Sequence, residues 1–177
     1  MGNTRESSTL LDELAAEREI RRAMLNYIRA NDRLQLDELA AAYHVDAYDD
    51  HGTYKGGVQG LVAWISQRHM TIEQSMHLTG DSLIELDGNR AFVETYCLLF
   101  QHERTGCVNL ATRQPSFRRF VFGLRYVDRF ERRENEWKIA HRVVVWEWAQ
   151  EEVGSLTMDP TWVTAQRSRN DAVYQGR

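Results

Sequence analysis

The sequence predicts an α+β domain: a cone-shaped, curved antiparallel sheet packed against N-terminal helices. Two observations predict it. Apolar residues recur at helical spacing in three stretches before residue 71, and after that point the period changes to two. The period-two region is punctuated by turn signals at Asp87–Gly88 and at "RENE", so successive strands should pair as antiparallel neighbours. Helices followed by a run of strands put the helices on one face of the sheet. Closed against those helices, the sheet encloses a concave pocket of the kind that small ligands prefer.

Thr9 followed by Asp12 resembles a capping box, with Asp in place of the preferred Glu. Leu10, Leu14, Ile20, Met24, Tyr27 and Ile28 then keep helical spacing, which predicts one long helix from Thr9 to about Asn31. "NDR" interrupts it, and Leu36, Leu39, Ala40 and Tyr43 mark a short second helix. "VDAYDDHGTYKGG" reads as a short strand or strand pair, and Val58–Met70 as a third helix. A strand carrying His77 ends at Asp87–Gly88. In it Met76, Leu78, Ile84 and Leu86 alternate against His77, Thr79, Asp81 and Glu85. Arg90–His102 follows, with Phe92, Tyr96, Leu98 and Phe100 on one face. A loop around "RTGCVNLATRQPS" leads to a long strand, Phe117–Arg132, and "RENE" turns the chain into Trp137–Trp148. Residues 1–150 form the expected single domain, and 151–177 an arm that is a candidate oligomer contact.

Composition narrows the function. The chain has 177 residues, 27% charged and 42% hydrophobic, the balance of one ordinary globular domain. A net charge of −4 argues against a dedicated nucleic-acid binder. "FRRFVFGLRYVDRFERR" interleaves rings and arginines, but alternation explains it: Phe120, Phe122, Leu124, Tyr126 and Phe130 inward, Arg119, Arg125 and Arg129 outward. Cys97 and Cys107 are too few for a disulfide framework or a thiolate zinc site. "HVDAYDDH" could suggest a metal, yet on a strand Asp49 and His51 face away from Tyr48 and Asp50, which splits the cluster. The start is polar, Gly2 lacks the Ser or Thr of a myristoylation signal, and no apolar run reaches membrane length. A cytoplasmic protein with neither membrane nor nucleic-acid partner is expected.

Five polar residues are candidates for catalysis. Asp32 sits where the first helix ends and could equally be a helix-stop aspartate. Tyr27, five residues earlier, lies about 140° round an ideal helix, so both reach one cavity only if the helix breaks near Asn31. It could equally be a core aromatic. His77 is either a structural strand histidine or a base. His102 shares strand parity with Phe92, Tyr96 and Phe100, which favours the pocket side over an exposed strand end. Arg142 shares an apolar face with Val144, Trp146 and Trp148, so it needs a carboxylate or an anionic substrate group as partner. Tyr48, His51, Tyr96, Tyr126 and Trp146 complete the expected substrate-contacting set.

The order and spacing of "YIRANDRLQLDELAAAYHVDA", "GTYKG", "MHLTG" and "RYVDRFERRENEWKIAHR" resemble the SnoaL-like branch of the nuclear transport factor 2-like superfamily, over roughly Leu10 to Trp148. That branch includes scytalone dehydratase, bile acid 7α-dehydratase and hexachlorocyclohexane dehydrochlorinase. The resemblance implies that His77 and Asp32 form a catalytic dyad, that Tyr27 matches a catalytic tyrosine, and that Arg142 falls on an active-site arginine. It places His102 at a second catalytic histidine and His51 where a substrate-side tyrosine stands. It also implies a homo-oligomer (trimer or dimer), no cofactor and no metal. The implied activity is a lyase, a dehydratase-type elimination on a small hydrophobic cyclic substrate. Isomerases, polyketide cyclases and non-catalytic binding or assembly subunits share the fold, so the site carries more weight than the fold.

Overall fold

The computed structural model describes residues 3–108, 115–154 and 158–175. The elements run α1 (Asn3–Asp32), α2 (Leu36–Ala41), β1 (Tyr43–Asp50), β2 (Lys55–Gly57), α3 (Val58–Arg68), β3 (Ile72–Asp87), β4 (Arg90–Val108), β5 (Pro115–Arg133), β6 (Glu136–Gly154) and a last short turn, α4 (Ala172–Gln175). One curved, unclosed sheet has the order β2-β1-β6-β5-β4-β3. β3 to β6 form the antiparallel meander, while β1 joins β6 in parallel, which makes the sheet mixed rather than wholly antiparallel. The long connection through β2, α3 and the meander allows this, since a parallel pair needs a crossover rather than a tight turn.

Helix α1 begins at Asn3, so Thr9 lies inside it rather than capping it. Its buried stripe is Ala16, Ile20, Met24, Tyr27 and Ile28, the i, i+4, i+3 spacing of a core-facing face. α1 lies across β3 and β6, and α3 across β1 and β2. Tyr43, expected in the second helix, opens β1 instead. The first hairpin turns at Gly88–Asn89, one residue beyond the expected pair, with Gly88 at φ +58°. The second turns at Glu134–Asn135, both at positive φ, as a two-residue hairpin requires. β4 and β5 run further into the expected loop, whose residues 109–114 lie outside the described part, and β6 continues to Gly154.

A bulge in β3 and the parity of β4 decide which side chains face the helices. In β3 the pairing register shifts between Thr79 and Ser82. A bulge of this kind exchanges the faces of a strand. Hence His77 and Thr79 share the inner side with Ile84 and Leu86, while Met76 and Leu78 are 55% and 58% exposed. In β4 the inner residues are Ala91, Val93, Thr95, Cys97, Leu99 and Gln101. The aromatic-bearing parity of Phe92, Tyr96 and Leu98 faces out.

Candidate active site

Asp32 closes the last turn of α1. The helix ends in a Schellman motif: Leu34 takes φ +51°, Gln35 N–H donates to the Ala30 carbonyl (2.8 Å) and Leu34 N–H to that of Asn31 (3.2 Å). A carboxylate at a helix C-terminus faces the unfavourable end of the dipole, so Asp32 is not there to cap the helix. Its oxygens instead accept from β3: the His77 backbone N–H (3.0 Å), His77 Nδ1 (2.6 Å) and Ser75 Oγ (3.2 Å). With Nδ1–H donated to Asp32, the neutral ring leaves its Nε2 lone pair free. The His77 side chain is 2% exposed and lines a cavity of about 400 Å³ between α3 and the sheet.

The wall of that cavity is mostly apolar: Trp64, Ile65, Leu99, Phe122, Leu124, Tyr126, Val144 and Trp146. Its polar members include Asn31, His51, His69, His77 and Gln101, so three of the six histidines in the sequence meet in one place. A larger open groove of about 1120 Å³ runs along α1 between charged side chains such as Arg18, Arg22 and Lys138, and holds none of the candidate residues.

His51 belongs to a second histidine–aspartate pair. Its Nδ1 contacts Asp49 Oδ1, and Asp49, fully buried, also accepts from the Tyr43 hydroxyl (2.7 Å). His51 Nε2 lies 3.4 Å from the Tyr27 hydroxyl. The sequence carries the signal: Asp49 and His51 are two apart and share the inner parity of a strand. Reading the "HVDAYDDH" cluster as one site or none hides the pair. The other acids there point elsewhere, Asp46 to Arg133 (2.6 Å) and Asp50 to Lys55 (2.8 Å).

His69 caps the C-terminal end of α3, and no sequence pattern marks it. Its Nδ1 lies 2.5 Å from an Arg167 nitrogen. The same guanidinium donates to the main-chain carbonyls of Ile72 (2.7 Å) and Asp32 (3.2 Å). The C-terminal segment is thereby tied to both halves of the His77–Asp32 contact. Burial, with Arg167 and Arg68 nearby, pushes the His69 pKa down to about 3. Burial also lowers that of Arg167 to about 10, which leaves it charged at neutral pH. Asn31 is also among the lining residues, and its Oδ1 is buried without a partner, a state that costs about 1–3 kcal/mol.

Arg142 finds its carboxylate inside the protein. Asp128, which the inward parity of β5 places without singling it out, accepts two hydrogen bonds from it at 2.7 and 2.6 Å. The guanidinium sits 4.2 Å from the Tyr27 ring centre and 4.3 Å from that of Tyr126, and is fully buried. It therefore braces the cavity from behind, and an anionic substrate group cannot reach it. Tyr27 is fully buried on the same layer, with burial raising its hydroxyl pKa to about 12. Because α1 runs unbroken through Asp32, Tyr27 and Asp32 point in different directions, as their spacing on an intact helix requires.

The other expected site residues divide. Tyr126 and Trp146 lie on the cavity wall. Tyr48 does not: it is on the outer face of β1, 43% exposed and stacked on His141. Aromatic parity predicts Tyr96 and His102 in the pocket, and that parity is the outer one. Tyr96 is 60% exposed, and His102 Nδ1 sits 3.4 Å from Gln74 Oε1, off the cavity. Alanine at Tyr48, Tyr96 or His102 should therefore leave ligand binding within about threefold of the parent, measured by thermal shift with any cavity ligand. A tenfold loss in one of them would return that residue to the site.

A cone-fold domain with a histidine-lined apolar cavity under its helices is the class that fold and site define. The sequence matches the SnoaL-like domain family over residues 12–143. The chain belongs to that family, within the nuclear transport factor 2-like superfamily. Among solved structures it resembles a type-2 hexachlorocyclohexane dehydrochlorinase, LinA (TM-score 0.71, 16% identity, covering 86% of this chain and 99% of that one). A LinA-type3 dehydrochlorinase from Novosphingobium barchaimii LL02 gives 0.70 at 16% identity (85% and 99%). A protein of Novosphingobium aromaticivorans DSM 12444, provisionally named a scytalone dehydratase, gives 0.67 at 17% (88% and 97%). No curated protein matches significantly. At such identities these likenesses speak for the fold.

Proposed function

We propose that this protein is a cofactor-independent lyase that eliminates a leaving group from a small cyclic hydrophobic substrate. The observation that carries the reading is the 2.6 Å contact between Asp32 and His77 Nδ1 beside the cavity. His77 Nε2 takes a carbon-bound proton, and Asp32 holds the imidazole tautomer and stabilises the imidazolium that forms. A positioned base of this kind contributes about 10²–10⁴ in rate. Tyr27 and His102, expected as proton donors, lie off the cavity, so His51, carried as the imidazolium against Asp49, takes that part and protonates the leaving oxygen. The mostly apolar wall suits a hydrophobic ring, and no metal or cofactor enters the scheme.

An isomerase or cyclase would use the same abstraction without loss of a leaving group. A non-catalytic subunit expects Asp32 and His77 beyond about 3.2 Å, and the shorter contact favours the enzyme. Incubation with cyclic β-hydroxy ketones in deuterated water separates these readings. Enone absorbance with water loss supports the lyase, and deuterium incorporation without enone supports the isomerase. Neither signal, across a panel that binds by thermal shift, sinks both. We also propose a homo-oligomer (trimer or dimer), since Met76, Leu78, Phe92, Tyr96 and Leu98 leave an apolar outer face. Light scattering that gives a monomer would reject it. Among the described residues no helix is long and apolar enough to cross a membrane, in keeping with the cytoplasmic location we propose.

A further inference from the structure

We infer that His69 is a permanent hydrogen-bond donor to a substrate oxygen, fixed in that role by Arg167, and that the substrate therefore carries a carbonyl next to the carbon that His77 deprotonates. This inference rests on the lyase reading for its chemistry, though its geometry stands in the free protein. A guanidinium has five donors and no acceptor. Where Arg167 meets His69 Nδ1, that nitrogen must hold the lone pair, so the only N–H of the neutral ring is Nε2. His69 lines the same cavity as His77. The ring cannot be a base through Nδ1, and protonating it would place a second cation against Arg167 and near Arg68. The groups that face it are Arg167, Arg68, His77 and Asp32; burial with the first three keeps it neutral against the opposing pull of the Asp32 carboxylate.

The three cavity histidines then hold different parts. His77 has its Nδ1–H on a carboxylate and a free Nε2; His51 is backed by a carboxylate too; His69 is backed by a cation. A neutral donor that keeps its proton suits an oxygen on which negative charge develops, because it needs no reorganisation as the charge appears. A carbonyl oxygen on the substrate accepts such a hydrogen bond, whereas a halogenated hydrocarbon ring offers no oxygen to receive it.

The step balances. The C–H bond breaks, its proton goes to His77 Nε2, and its electron pair moves onto the carbonyl oxygen, held by His69 Nε2–H without proton transfer. The pair returns as the carbon–oxygen bond to the hydroxyl breaks, and the His51 imidazolium, its Nδ1–H kept on Asp49, delivers from Nε2 the proton that makes water. His77 passes its proton to solvent and His51 regains one. The products are an enone and water. Arg167 is a positioning residue, and it lies outside residues 12–143 that match the family, so the device belongs to this chain's own C-terminal segment.

The test uses the full chain labelled with nitrogen-15 at histidine, together with two probes, β-naphthol as an oxyanion mimic and naphthalene as its oxygen-free counterpart. NMR should show His69 with a bare Nδ1 and a protonated Nε2 that does not titrate near the ordinary histidine value of about 6.5. Arg167→Met, which removes both the donor and the charge, should move the titration of His69 up toward that value, and Arg167→Lys, which still donates, should lower it again. His69→Phe should weaken β-naphthol about 10–100-fold and leave naphthalene unchanged, with His69→Gln recovering part of the loss. A protonated Nδ1 in the parent protein, ordinary titration of His69, or equal loss of both probes overturns the inference. None of these readouts needs turnover: probe preference without enone formation defeats the lyase reading alone.

Discussion

Exchanging His77 for glutamine is expected to lower turnover of a cyclic β-hydroxy ketone by about 10²–10⁴ while the fold survives. The side chain's hydrogen bond goes to Asp32 and glutamine is of similar size, so the melting temperature should move by only a few degrees. Asp32→Asn should cost a similar or larger factor for another reason. An amide can turn its NH₂ toward Nδ1, which forces the proton onto Nε2 and removes the lone pair that acts as base. The amide would also keep a single acceptor oxygen where the Asp32 carboxylate serves three donors, so stability should fall by about 1–3 kcal/mol. Steady-state kinetics with parallel thermal melts separate the two effects. Unchanged kcat in either variant would sink the assignment.

The largest effect on stability should come from Arg142→Met. Arg142 and Asp128 are both fully enclosed, and removing the cation leaves a bare carboxylate in the core. Breaking one side of a buried pair costs about 3–5 kcal/mol, and the ring contacts with Tyr27 and Tyr126 go with it. For a chain of this length each kcal/mol moves the melting temperature by about 2–4 °C. The double variant Arg142→Met/Asp128→Leu, which removes both charges, should recover much of the loss. If the single variant costs under about 1 kcal/mol in urea melts, the pair is not what holds this layer. Arg142→Met protein kept folded at low temperature should retain ligand binding, because the guanidinium does not reach the cavity.

Much of this architecture was legible in the sequence, for a physical reason. Helical and two-residue periods are written in the same residues that bury the core, so α1, α3 and the meander could be read, though α1, β4 and β6 each run six residues further at one end. Asp32 and His77 were legible as candidates, because a carboxylate at the wrong end of a helix and a polar residue at a strand's apolar start both stand out. Their meeting was implied by the family resemblance alone, since the periods do not show the bulge that turns His77 and Ile84 to one side. Parity misled at Tyr96 and His102 because β4 carries its larger apolar side chains outward, where a single chain shows no partner for them. His69 and Arg167 left no trace in the pattern. They lie 98 positions apart, and only the return of the C-terminal segment to the end of α1 brings them together.

The bulge in β3 also constrains how this chain can vary. Gly80 and Asp81 sit within it and are exposed, so their identities should be free to drift. Their number should not. With β3 pinned to β4 on both sides, losing or gaining one residue between Thr79 and Ser82 would turn either His77 or Ile84 and Leu86 outward. Homologous chains that keep the dyad should thus tolerate substitution at these two positions and resist insertion or deletion. At this point in the strand, length rather than residue type is the inherited information.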